Sequence, residues 1–178
     1  MIPQGQRTHR YIVQDKKALE LLVALFNGHL VLPTKQRNFQ KFVDLYNQKA
    51  GKGRIILEKV KLIQSEILPS LDNAWLSGFT DSEGCFTISF LSNSNAFRLR
   101  YIVSQKDEIN LVILKHLIRL FQTGVIEPHS EKNNLSYIVN QVKACALVRP
   151  YFDRFTLKSI IAISCGNNFM IIFKTRII

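Results

Sequence analysis

Tyr11-Ile12-Val13 recurs as Tyr137-Ile138-Val139, 126 positions later, and at the same offset Lys17-Ala18 matches Lys143-Ala144, Leu21 matches Leu147 and Phe26 matches Phe152. Agreement at one spacing over several separate places implies two copies of one structural unit. Arg10 to Val13 also recurs at Arg100 to Val103, but there the flanks diverge sooner, so that match reads as two strands of similar chemistry. If the second copy begins near Leu71, the offset puts the start of the first upstream of Met1. The expected organisation is therefore residues 1–68, the end of a first unit with a basic linker at Ala50 to Arg54, and residues 69–178, a whole second unit.

Hydrophobic period sets the elements within each copy. Lys16 to Phe26 and Lys35 to Gln48 have helical spacing, Asn27-Gly28 stops the first, and helical pattern resumes at Ile55 to Ile67. Pro69-Ser70, with Ser70 as N-cap, predicts a short helix from Leu71 to about Asp81. From Cys85 the period becomes two, and Phe86, Ile88 and Phe90 alternate with Thr87, Ser89 and Leu91. After a turn at Ser92 to Asn95, a second strand from Phe97 to Gln105 sets Phe97, Leu99, Tyr101 and Val103 against Arg98, Arg100, Ile102 and Ser104. A helix from Asp107 to Phe121, a hairpin of Gly124 to His129 with Leu135 to Asn140, and a helix from Lys143 to Phe152 complete the order helix, hairpin, helix, hairpin, helix. The apolar tail from Leu157 is expected to be helical at first. This is a mixed α+β chain.

Charge speaks to partners. With 24 Lys and Arg against 13 Asp and Glu, the 178-residue chain carries a formal +11. Such an excess attracts polyanions through counterion release. The cations are spread over strands and helices rather than gathered on one amphipathic face, which favours nucleic acid over a lipid surface. No run approaches the roughly 18 apolar residues of a membrane span, so no membrane partner is expected. Cys85, Cys145 and Cys165 show neither disulfide-framework nor zinc spacing and read as core filler. His9, His29, His116 and His129 lack ligand spacing.

Trp75-Leu76-Ser77-Gly78-Phe79-Thr80-Asp81-Ser82-Glu83-Gly84 joins a helix to the first strand. Gly78 and Ser82 lie four apart on one helix face with little bulk, and a partner helix can approach there, with Ser77 beside them. Gly84 suits a left-handed helix end. Glu83 would project from the bottom of such a helix pair, where an equivalent acid could share divalent metal. The bland alternative is a capped helix end with solvated Asp81 and Glu83.

The full stretch from Leu76 to Gly84, with Trp75 before it and Cys85-Phe86-Thr87-Ile88 after it, resembles the motif of the LAGLIDADG homing endonucleases and intron maturases position by position. Gln105-Lys106-Asp107, Phe152-Asp153 and Leu157-Lys158 are similar to the rest of a family repeat. Asn27-Gly28-His29-Leu30 and Lys35 through Phe39 to Tyr46-Asn47 resemble a first repeat's closing segments, so the likeness covers roughly residues 8 to 175.

The resemblance implies αββαββα repeats whose antiparallel sheets form a saddle along the DNA major groove, with two motif helices packed at the centre. It assigns the metal-binding acid to Glu83, assisted by the Gly84 carbonyl, with Mg²⁺ as cofactor, and makes Asp81 a structural helix-end residue. The basic residue near the repeat end corresponds to Lys158, with Lys35 the other candidate, while Ile160 and Ile161 stand where more lysines are usual. Strand parity adds Thr87, Ser89, Arg98, Arg100, Ser104, Ser136 and Asn140 as DNA-facing residues, and Gln105 is placed with them. The implied function is an intron-encoded endonuclease that binds double-stranded DNA and, complemented by a second motif, hydrolyses phosphodiester bonds. That motif would come from a second copy or a separate N-terminal fragment. The alternatives are an intron RNA maturase acting in splicing, an inactive DNA-binding remnant, and a transcription regulator. The family and the Ile, Asn, Lys and Phe bias point to an organelle, a mitochondrion ahead of a chloroplast.

Overall fold

The computed structural model describes residues 2–3, 9–10, 12–49, 58–90, 96–129, 131–158, 161–165 and 169–173. The linker at 50–54 and the turn at 92–95 lie outside these. The chain divides into two compact units, Met1–Ile67 and Leu68–Ile178.

In the first unit, β1 (Ile2–Pro3) pairs antiparallel with β2 (His9–Arg10). Helix α1 (Lys16–Phe26) is capped by Asp15, whose carboxylate accepts from Ala18 N at 2.9 Å. Helix α2 (Pro33–Lys49) follows, with proline at its first position, where the missing N–H has no intrahelical partner to lose. Val23, Val31, Leu32, Val43 and Tyr46 are buried. Phe39 stacks on Phe42 at 6.0 Å and meets Phe26 edge-on at 6.3 Å.

Residues 58–70 are not helical, contrary to the apolar spacing of that stretch. Side-chain amides hold them instead. Asn27 accepts from Ile63 N at 2.8 Å and donates to Lys61 O at 2.9 Å. Asn47 likewise accepts from Val60 N and donates to Val60 O, both at 2.8 Å. Gln36 donates to Ser65 O at 3.2 Å. Each asparagine satisfies one N–H and one C=O as a neighbouring strand would, so this backbone needs no helix to meet its hydrogen-bonding demand.

The second unit runs α3 (Trp75–Glu83), β3 (Gly84–Phe90), β4 (Phe97–Lys106), a 3₁₀ turn (Glu108–Asn110), α4 (Leu111–Phe121), β5 (Val125–Pro128), β6 (Asn134–Asn140) and α5 (Val142–Arg154). This is the αββαββα order read from the sequence. The strands form one antiparallel sheet in the order β3-β4-β6-β5. Helices α4 and α5 cover one face. There Tyr101, Val103, Tyr137, Val139, Leu114, Leu117 and Val148 are fully buried, Phe86 stacks on Tyr101 at 4.8 Å, and Phe152 meets both rings edge-on. Burying side chains of this size stabilises by about 1.5–3 kcal/mol each, which makes this core the dominant organiser of the sheet.

Two expectations change here. Residues 161–165 and 169–173 form an antiparallel hairpin, β7 (Ile161–Cys165) with β8 (Phe169–Phe173), rather than a helix. The β-branched composition of Ile161, Ile163, Ile171 and Ile172 accounts for this. The repeat is also only partly structural: at its offset α1 falls on α5, but Ile12 and Val13 carry no regular structure where Ile138 and Val139 form a central strand, and Tyr11 lies outside the described residues.

Candidate nucleic-acid interface and helix-end carboxylate

Helix α3 begins four residues later than the sequence suggests, because residues 71–74 turn before it. Ser70 is not its cap: the hydroxyl accepts from Asp72 N at 3.0 Å in a local turn. Two other groups take the capping role. Asn73 Oδ1 accepts from Trp75 N at 3.0 Å, and the Tyr151 hydroxyl of α5 accepts from Ser77 N at 3.0 Å while donating to Asn73 O at 2.8 Å. A second phenol holds the other half of the helix, with Thr80 Oγ1 and Tyr101 OH 2.8 Å apart. Burial pushes the Tyr101 phenol far above its usual range, so it remains a neutral hydrogen-bonding group.

Tyr151→Phe removes both hydroxyl bonds and strands the buried Ser77 N–H. A loss of about 1–3 kcal/mol in urea unfolding is expected; a loss below about 0.5 kcal/mol would show that water replaces the hydroxyl there.

These anchors decide which side of α3 faces out. Leu76, Ser77, Phe79 and Thr80 are buried, whereas Gly78, Ser82 and Glu83 are exposed. Ser77 is therefore corrected: its hydroxyl donates to Thr156 O at 3.1 Å inside this unit, and it does not share the Gly78/Ser82 face. Among the described residues a Cβ on Gly78 would meet nothing within 4 Å, so none of them requires a glycine at that position.

Gly84 is also corrected. It is extended (φ −115, ψ 168), not left-handed. The glycine is needed for close approach: a Cβ would lie 3.0 Å from Thr80 Cγ2 and 3.1 Å from Thr80 Cα and O. The chain thus leaves the helix straight into β3, placing Glu83 at the junction. Asp81 accepts from Lys158 N at 2.9 Å, which ties the segment after α5 to the last turn of α3 and brings the exposed Lys158 to this end of the helix. Lys35 is exposed in the first turn of α2, in the other unit. Among the described residues no group of three His, Cys, Asp or Glu side chains is placed to hold a metal.

The other face of the sheet is free of α4 and α5. Register puts Thr87, Arg100 and Asn140 in one row across three strands, with Ser89 opposite Arg98 in the next. Thr87 Oγ1 and Arg100 Nε are shielded from solvent and make no hydrogen bond among the described residues. Ser104 and Ser136 also share this face, but their hydroxyls bond each other at 2.8 Å and Ser136 is buried.

Gln105 is corrected outright. It stands on the helix-covered face with Tyr101 and Val103, buried, donating to Ser104 O at 2.9 Å and accepting from Asn110 at 3.4 Å. Two consecutive strand residues cannot share a face. Sequence reasoning missed Lys106, which the same parity adds to the face of Arg98 and Arg100, and Tyr151, for which no local signal exists. Cys145 is buried as expected, but Cys85 is exposed on the helix-free face; the side chain of Cys165 lies outside the described residues.

Residues 76–164, half of the chain, match the family model of the LAGLIDADG endonucleases. The chain is 37% identical over 160 residues to "Probable intron-encoded endonuclease 4" of Neurospora crassa, covering 86% of this chain and 27% of that protein. It is 25% identical over 152 residues to an uncharacterized cox1 intron-2 protein of Schizosaccharomyces pombe, covering 84% and 44%. Among solved structures it is similar to the LAGLIDADG homing endonuclease I-GzeII in complex with its DNA target, with TM-score 0.49, 20% identity, and 81% and 52% of the two chains covered. The chain spans about a quarter of the length of the Neurospora relative.

Proposed function

Because the chain belongs to the LAGLIDADG endonuclease family, we propose that its second unit binds double-stranded DNA in the major groove and, joined to a second motif helix, hydrolyses phosphodiester bonds. The observation that carries this is the helix-free sheet face, where Arg98, Arg100, Thr87, Ser89 and Asn140 occupy adjacent rows and β3 leads back to the exposed Glu83. A two-stranded or larger β-surface fits the major groove, and arginine there either reads guanine or holds phosphate.

One carboxylate and one backbone carbonyl, Glu83 and Gly84, form a hard oxygen donor pair that suits Mg²⁺, an ion that commonly takes only one or two protein carboxylates alongside substrate phosphate. When bound, the ion would activate water and stabilise the leaving oxygen. Glu83 supplies the local negative charge that attracts the cation, and Lys158, whose backbone N–H is held at the same helix end by Asp81, offers its positive charge to the phosphate. The open Gly78/Ser82 face is the seat for the second motif helix, from another copy or a separate fragment, which brings the second acid. The intron-borne relatives and the compositional bias support an organellar site of action, a mitochondrion ahead of a chloroplast.

The test is selection of duplexes from a random library by the full chain, followed by binding titrations at several salt concentrations. A reproducible enriched site is expected. Arg100→Ala should weaken binding by about 1–3 kcal/mol and reduce the salt slope by about 1. Duplex binding that shows no enrichment and no response to Arg100 would remove the sheet face as the reader.

A further inference from the structure

The helix-free face is not uniformly polar. One row beyond Thr87, Arg100 and Asn140, toward Glu83, register aligns Cys85, Ile102, Ile138 and Val125, an apolar row that crosses all four strands. Ser104, Ser136 and Glu127 form the next row, so the apolar band is flanked by polar rows on both sides. Among the described residues of this unit, α4 and α5 lie on the opposite face and do not bury this band. Cys85 is exposed, Ile102 is half-buried and Val125 is 48% exposed, while Ile138 is buried.

Resting on the DNA-binding reading above, we propose that this row is a specificity element that reads the 5-methyl group of thymine. Two arguments lead there. Apolar side chains contact that methyl in the major groove, and it is the main apolar feature a base pair presents on that side. Spacing agrees as well. Adjacent residues on the same face of an antiparallel strand are about 6.8 Å apart, which matches two base-pair steps of about 3.4 Å each. The thymine read by Cys85 and Ile102 therefore lies about two base pairs from the base contacted by Arg100, on the side nearer the scissile phosphate.

Deoxyuridine separates the methyl from everything else thymine offers, since it pairs identically and lacks only that group. In duplexes enriched by the full chain, each thymine is replaced in turn by deoxyuridine and binding is titrated. One replacement, about two base pairs from the position whose preference Arg100→Ala relaxes, is expected to weaken binding about fourfold, the worth of one buried methyl. Ile102→Ser should erase that difference. Cys85→Ser, a near-isosteric change at an exposed position, should reduce it, which keeps the test valid if the Ile102 variant unfolds. Enriched duplexes that tolerate deoxyuridine everywhere would overturn this proposal and leave DNA binding intact. Failure to enrich any duplex would overturn both.

Discussion

Glu83→Gln is expected to separate cleavage from binding. The side chain is exposed at the end of α3, so glutamine fits without repacking. Losing the carboxylate removes the charge that would hold a divalent ion. In a preparation that supplies a second motif helix, cleavage of the selected duplex should fall on the order of 10³-fold, the rate equivalent of several kcal/mol of transition-state charge stabilisation. The sign reverses for affinity in metal-free buffer. There the Glu83 carboxylate repels the phosphates, and its neutral isostere should bind roughly fivefold tighter, about 1 kcal/mol for one charge pair near 4 Å in water. Gel-shift titration with chelator present reads this even if the chain alone never cuts. Unchanged affinity together with unchanged cleavage would take Glu83 out of the site.

Gly124→Ala should be the most damaging substitution in the second unit's scaffold. Gly124 sits before β5 with φ +92, a conformation that costs an L-residue about 1–3 kcal/mol. It also lies against Tyr137, where an added Cβ would stand 2.8 Å from the ring carbon Cζ. Tyr137 cannot retreat, being fully buried with its hydroxyl donating to Thr123 O at 2.9 Å. The two costs together predict a loss of about 3 kcal/mol or more, measured as a shift in the urea midpoint with unchanged m-value. A loss under about 1 kcal/mol would show that the loop after α4 can re-route around the ring.

The αββαββα order was legible because each element carries its own period. Alternation from Cys85 to Phe90 and from Phe97 to Gln105 gave the strands and, with them, the face bearing Thr87, Ser89, Arg98 and Arg100. Gln105 shows where that parity was not followed: it was placed with the DNA-facing residues, while the pleat turns it into the core. Ser77 was misplaced for a similar reason. Its small size suited a helix interface, but helical geometry puts it about 100° around α3 from Gly78, toward Tyr151 and Thr156. What the sequence does not reveal are contacts between distant positions. Tyr151 caps α3 from more than seventy residues away. The hydrogen bonds of Asn27 and Asn47 hold an apparently helical stretch in a non-helical path, and apolar spacing carries no trace of such partners.

Those two asparagines grip only main-chain atoms, which separates the route of residues 60–63 from their identity. Nearly any residue but proline can occupy those positions without releasing an amide, because each partner is an N–H or a C=O common to all. Inheritance can therefore rewrite the side chains of this stretch freely, in charge or in bulk, while its path stays where Asn27 and Asn47 put it. The route of this strap is thus encoded in two asparagines rather than spread along the residues they hold.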